Sequence, residues 1–220
     1  LYFSTQGNSL FIIYIYLINF KLNKYNINNK YHMSCQKGPY LELIVGPMFS
    51  GKTTKLVRNY YGFIEDNCGS RVLMINHSFD TRYSESTIST HDEDTKIKCH
   101  MLTELSNITP EYIKSKAINA IFINEGQFFQ DIVHWVKSVS KLNIEIFISG
   151  LDGDYKQEAF GNFLDLVPIA TRITKLTSKC YKCGCIYAAH TVRITNSTEQ
   201  VLIGTSDIYK PICSNCLYVD

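Results

Sequence analysis

In the stretch GPMFSGKTTK, Gly46 to Lys55, two glycines, a lysine and a threonine follow the spacing Gly, four residues, Gly-Lys-Thr. A phosphate-binding loop has this spacing where it leaves a buried strand and opens a helix. Gly46 and Gly51 permit backbone conformations closed to other residues. The amide N–H groups of the loop can then converge on a polyphosphate, and the helix behind them adds the positive end of its dipole. Lys52 supplies a point charge for the terminal phosphates, and Thr53 offers a hydroxyl to a magnesium ion. A glycine-containing turn before any helix fits the bare pattern too. Here the apolar run YLELIV precedes the loop and a stretch of helical character follows it, so strand, loop and helix agree.

Two more constellations could do chemistry. Cys180-x-x-Cys183 and Cys213-x-x-Cys216 are separated by 29 residues. Paired thiolates on two such knuckles can close a tetrahedral site around zinc with no position left for water, which predicts a structural metal. The competing reading is a pair of disulfides, which suits an oxidising compartment better than a protein with a phosphate loop and no secretory leader. Cys185 breaks the two-knuckle symmetry and is left out of the ligand set; Cys35, Cys68 and Cys99 read as scattered thiols. The third constellation is AIFINEGQFFQDI, where Asn124 and Glu125 end an apolar run. A carboxylate at a strand's end beside bound phosphates can accept the proton of an attacking hydroxyl, so Glu125 is a candidate general base. From the residues alone, a helix-capping or solvated Glu is equally compatible.

These groups need a frame. The runs at 40–45, 71–76, 120–124 and 144–150 are short, continuous and rich in β-branched and aromatic residues, as strands buried on both faces are. Helical stretches lie between them: Thr53 to Glu65, a segment capped by Thr109 with Pro110 in its first turn, and Asp131 to Lys141. The alternation predicts an α/β phosphate-loop domain with a mainly parallel sheet, helices on both faces, and ligands at the carboxyl ends of the strands. Residues 77–100 are polar and without periodicity, and read as one long loop. Three units result: an arm at 1–37, a nucleotide-binding domain at 38–175, and a small cysteine-rich domain at 176–220.

Within the arm, LYFSTQGNS reads as a cloning scar, and the rest of residues 1–32 is rich in Asn, Ile, Tyr and Lys without caps, so the arm is expected to be non-native or disordered. Its apolar run at 10–20 is too short to span a membrane. The net charge is +2, and Lys21, Lys24 and Lys30 fall in residues 1–32, so residues 33–220 set 19 basic residues against 20 acidic ones. A neutral body lacks the electrostatic footprint of a nucleic-acid binder. The segment between the cysteine pairs has only Arg193 and Lys210 as firmly charged basic residues, and suits a flap over a small ligand better than a nucleic-acid module.

The motifs LELIVGPMFSGKTTKL, FDTRYS, STHD, NEGQFF, GLDGDYKQEAFG, LVPIATRITKLTSKC and IGTSDIYKPICSNC, in this order and spacing, resemble the cytosolic, zinc-containing thymidine kinases over roughly residues 38–217. The resemblance implies a cytoplasmic enzyme that moves the γ-phosphoryl group of ATP to the 5′-hydroxyl of thymidine, with magnesium and a structural zinc, without nucleic-acid or membrane partners, and assembled as a homotetramer. It implies that Gly46, Pro47, Met48, Phe49, Ser50, Gly51, Lys52 and Thr53 hold the nucleotide phosphates, with Asp80, Asn124 and Gln127 beside them, and that Arg82 neutralises the transferring group. Glu125 would be the base. The nucleoside pocket would take Met48, Phe128, Leu151, Tyr155, Phe160 and Thr191, the flap Gln200, Val201, Leu202, Ile203 and Gly204, and Tyr209 as its cover. Zinc would bind Cys180, Cys183, Cys213 and Cys216.

One residue departs from the family's pattern. Asn124 stands where these kinases usually have Asp, which leaves the magnesium shell one charge short and relies more on Thr53. Three further readings follow from the residues: a binding homologue that has lost catalysis, a zinc-ribbon nucleic-acid-binding NTPase, and a guanine-nucleotide switch. The last lacks an Asn-Lys-x-Asp guanine reader.

Overall fold

The computed structural model describes residues 38–79, 87–89, 96–196, 199, 200, 202, 204 and 206–219. The arm at 1–37, Asp80, Arg82, Val201 and Ile203 lie outside the described residues. Residues 39–220 cluster as one compact unit.

Six parallel strands make the central sheet: β1 (Tyr40–Gly46), β2 (Arg71–His77), β5 (His100–Leu102), β6 (Ile118–Ile123), β7 (Glu145–Leu151) and β8 (Arg172–Lys175), in the order β5-β2-β6-β7-β1-β8. The four inner strands are the four apolar runs of the sequence. Successive side chains point to opposite faces, so each run feeds two cores. Leu43, Val45, Ile75, Ile121, Ile123 and Ile148 enter one, while Ile44, Met74, Phe122 and Phe147 enter the other.

Each face is covered by helices with a matching apolar stripe. Helix α1 (Lys52–Asp66) follows Gly51, whose φ of 81° lies in the left-handed region that glycine adopts without penalty. It buries Leu56, Val57 and Phe63 on the Phe122 side. Helix α2 (Pro110–Ser115) starts as expected, with the Thr109 side chain accepting from Tyr112 N at 3.1 Å and Pro110 in the first turn. Helix α3 (Ile132–Val139) buries Ile132, Trp135, Val136 and Val139 on the opposite face. That spacing of three and four residues places all of them on one side. Burial of each such side chain contributes roughly 1.5–3 kcal/mol.

The stretch 77–100 is not one uninterrupted loop. Within it β3 (Thr87–Ser89) pairs antiparallel with β4 (Lys96–Lys98), and β5 begins at its end. Among the described residues, Ile88 and Ile97 anchor the small ribbon in the core, and two isolated isoleucines in a polar run carry no periodic signal.

Beyond β8, β9 (His190–Arg193) pairs antiparallel with β10 (Tyr209–Ile212), and α4 (Ser214–Tyr218) follows. Cys180, Ala188, Ile212 and Cys213 form a third, smaller core under them.

Candidate active site and cysteine cluster

The loop after β1 closes on itself and on the cysteine-rich segment. Lys52 Nζ donates to Pro47 O at 2.7 Å, holding the ammonium over the loop's own backbone. Met48 N donates to Thr191 Oγ1 at 2.9 Å, and Ser178 Oγ donates to Phe49 O at 2.9 Å. Met48 and Thr191, 143 positions apart, are therefore brought together. Ser50 Oγ is buried and meets no hydrogen-bond partner among the described residues. A buried hydroxyl in that condition is costly, and an anion's oxygen is a suitable acceptor for it.

At the end of β6 the backbone turns sharply. Asn124 N still donates to Ile75 O at 2.9 Å, but Glu125 adopts φ 55°, ψ 45°, left-handed for a residue that rarely goes there. Such strain is stored where a side chain must be aimed. The aim is fixed by Gln127: its Nε2 donates to Glu125 Oε2 at 2.7 Å, and its Oε1 accepts from Leu151 N at 3.0 Å. Gln127 is almost fully buried while Glu125 is half-buried, so the carboxylate is held from behind by a buried amide.

Asn124 joins this turn to the phosphate loop. Its Oδ1 accepts from Thr53 Oγ1 at 3.2 Å and from Ser149 Oγ at 2.8 Å; its Nδ2 donates to Asn76 Oδ1 at 3.0 Å. Thr53, Asn124 and Glu125 thus share one corner at the carboxyl edge of the sheet. Thr53 and a neutral amide carbonyl suit a hydrated hard cation, though with one fewer charge than a carboxylate would bring.

Aromatic side chains line the next stretch. Phe128 meets Phe160 edge to face at 5.4 Å, and His77 lies against Phe128, Phe129 and Phe79. Tyr155 is covered by the Arg193 guanidinium, 3.9 Å from the ring centre. Arg193 also donates through Nη2 to Tyr209 Oη at 2.6 Å and to Gln200 O at 3.2 Å, and through Nη1 to Glu199 O. Tyr209 Oη in turn donates to Leu202 O at 2.9 Å. Gln200, Tyr155 and Tyr209 therefore converge on one guanidinium, and Leu202 is tied to it through Tyr209. Gly204 is placed instead against Ile208.

Arg193 and Asp154 had no assigned role in the sequence reading. Asp154 is buried; its Oδ1 accepts from Lys156 N and Glu158 N, and its Oδ2 from Gln200 Nε2 at 2.9 Å. An acid two residues before a backbone N–H in a polar loop is a turn signal. Its link to residue 200 has no sequence signature.

The Sγ atoms of Cys180, Cys183, Cys213 and Cys216 all lie within 4.8 Å of one another, and Cys183 and Cys213 are 3.7 Å apart. Four thiolates around zinc at about 2.3 Å each stand at comparable separations, so the four side chains could hold a metal ion. Burial works against the Cys180 thiolate, but the N–H groups of Cys183, Cys213 and Lys182 outweigh it and bring the thiol down to about 6. Cys213 is lowered as well, first by the N–H of Cys216. N–H groups aimed at sulfur favour the thiolate that a metal requires.

A family model described as thymidine kinase matches residues 39–217. A thymidine kinase of rice (Oryza sativa subsp. japonica) is 41% identical over 180 residues, covering 79% of this chain and 64% of its own length. A thymidine kinase of fowlpox virus is 35% identical, covering 81% of this chain and 96% of its own length. A cytosolic thymidine kinase of chicken (Gallus gallus) is 34% identical, covering 81% of this chain and 76% of its own. The chain spans just under two thirds of the rice relative.

Proposed function

The chain belongs to the thymidine kinase family, and from that footing we propose that it transfers the γ-phosphoryl group of ATP to the 5′-hydroxyl of thymidine, giving thymidine monophosphate and ADP. The observation that carries this reading is the Thr53–Asn124 hydrogen bond, which sets the candidate base at the next residue beside the first turn of the phosphate-loop helix. The same match runs unbroken through the cysteine pairs, so a separate nucleic-acid-binding ribbon is not favoured.

Gly46 to Thr53 would hold the triphosphate, with Lys52 on its terminal oxygens and Arg82 beside it. Held at the Thr53 oxygen, with Asn124 behind it, magnesium would offset charge on the phosphoryl oxygens. Glu125, aimed by Gln127 and by its own backbone turn, would accept the 5′-hydroxyl proton as the oxygen attacks phosphorus and ADP leaves. The nucleoside would lie between Phe128 and Phe160 on one side and the 200–204 segment on the other, whose backbone groups would read the polar edge of the base. A site built on fixed polar partners rejects a base that leaves them unpaired. Met48, Leu151 and Thr191 would border its methyl group. Zinc at the four cysteines would pin both ends of the 184–212 segment, with 176–220 acting as a small covering domain. No helix among the described residues is long and apolar enough to cross a membrane, and the chicken relative is named cytosolic; we place the activity in the cytosol.

A substrate panel tests the reading. With ATP and magnesium, phosphate is expected on thymidine and not on deoxycytidine; equal phosphorylation of both, or of neither, would contradict it.

A further inference from the structure

Asn76 has no part in the mechanism above, yet it is fully buried and its Oδ1 faces the Asn124 amide. It sits at the carboxyl end of β2, between β5 and β6, where Asn124 N holds the neighbouring carbonyl of Ile75. A carboxamide has two ends of equal shape and opposite hydrogen-bonding character, so an Asn at 124 works only if its orientation is set. The hydroxyls of Thr53 and Ser149 can donate or accept, and impose no direction. Asn76 Oδ1 can only accept.

We propose that Asn76 is a positioning residue of the phosphoryl-transfer site: it claims the NH₂ end of Asn124 and so turns Asn124 Oδ1 toward Thr53. The consequence falls on the Thr53 hydroxyl. Its proton is committed to Asn124 Oδ1, so the oxygen presents lone pairs alone to a cation on the phosphate side. Were the Asn124 amide reversed, Nδ2 would occupy Thr53's acceptor side and push its proton toward the cation. A carboxylate at 124 would need no such partner, since both of its ends accept. The two buried asparagines thus set the direction of the Thr53 hydroxyl as one acid would, without supplying its charge. This inference rests on the kinase reading, and its test separates the two.

The experiment is calorimetric binding of a β,γ-imido ATP analogue to the full chain, with and without magnesium, for wild type, Asn76→Leu and Asn76→Asp, with thymidine kinetics alongside. Leu removes the acceptor; Asp keeps an acceptor of the same shape. Asn76→Leu is expected to cut the gain in analogue affinity from magnesium by about 10- to 100-fold, the usual cost of losing a group that orients a ligand. Affinity without magnesium and the thymidine KM should stay near wild type, and Asn76→Asp should keep most of the gain. If Asn76→Leu does not fold, Asn76→Ser, too short to reach residue 124, is expected to show the same loss. An unchanged magnesium gain in Leu or Ser, or an equal loss in Asp, overturns the proposal. A wild type that gains from magnesium but never phosphorylates thymidine would overturn the kinase reading while leaving the Asn76 comparison decisive.

Discussion

Gln127 shows how narrowly the candidate base is set. One end of its amide holds Glu125 and the other holds Leu151 N, so Gln127→Glu changes only the group that faces the base. In Gln127→Glu the Glu125 carboxylate loses its donor and its aim, so phosphoryl transfer is expected to slow by about 10-fold or more. An unchanged rate would mean that Gln127 does not position Glu125. One titration lies far from the site. Tyr40 is pushed up to about 12, first by burial and then by the charge and hydrogen bond of Glu42, with Arg172 partly offsetting them. A tyrosine raised above its ordinary value near 10 stabilises the fold fully below that pH and loses the contribution as pH climbs through about 12. Tyr40→Phe should therefore make stability in denaturant titrations fall less steeply between pH 10 and 12 than in wild type. Equal slopes would show that Tyr40 titrates as it does when unfolded.

Among the elements, the inner strands were legible because both faces are buried and the sequence runs apolar without a break. β5 and β8 were not. Both are edge strands with short, half-exposed residues, HML and RITK, that owe their conformation to the neighbour they pair with. β8 is held in part by Glu42, buried in mid-strand β1. Its carboxylate accepts from Thr174 Oγ1 at 2.8 Å, from Tyr40 Oη at 3.2 Å and from Asn59 Nδ2 at 3.4 Å, with Arg172 Nε 3.9 Å away. An acid inside an apolar run is opaque in sequence, because apart from Tyr40 its partners lie on α1 and β8. Glu42→Ala leaves those donors without their acceptor and should cost about 1–3 kcal/mol of stability by denaturant unfolding. A loss below about 0.5 kcal/mol would show that water replaces the carboxylate freely.

At the scale of the whole molecule, the phosphate loop, the Glu125 corner and the four-cysteine cluster were readable because each is local or strictly spaced. Arg193, Asp154 and Asn76 were not, because each acts on a residue 38 or more positions away. The cysteine cluster is the clearest long-range tie, since it gathers both ends of a segment that also reaches the phosphate loop through Thr191. Removing the metal with a chelator should raise the thymidine KM strongly and weaken ATP-analogue binding far less. Both should recover when zinc is restored, with one zinc per chain found by metal analysis. Loss of nucleotide and thymidine binding to the same extent would mean that the cluster supports the entire fold.

The most direct measurement is a single-turnover transfer from γ-labelled ATP to thymidine by wild type and Glu125→Gln, with thymidine binding measured on both. Wild type should label the 5′-position, and the variant should bind thymidine as well while transferring about 10²- to 10⁴-fold more slowly, the range a positioned base supplies. Transfer at the wild-type rate by Glu125→Gln would contradict the assignment of Glu125 as the base on which the account turns.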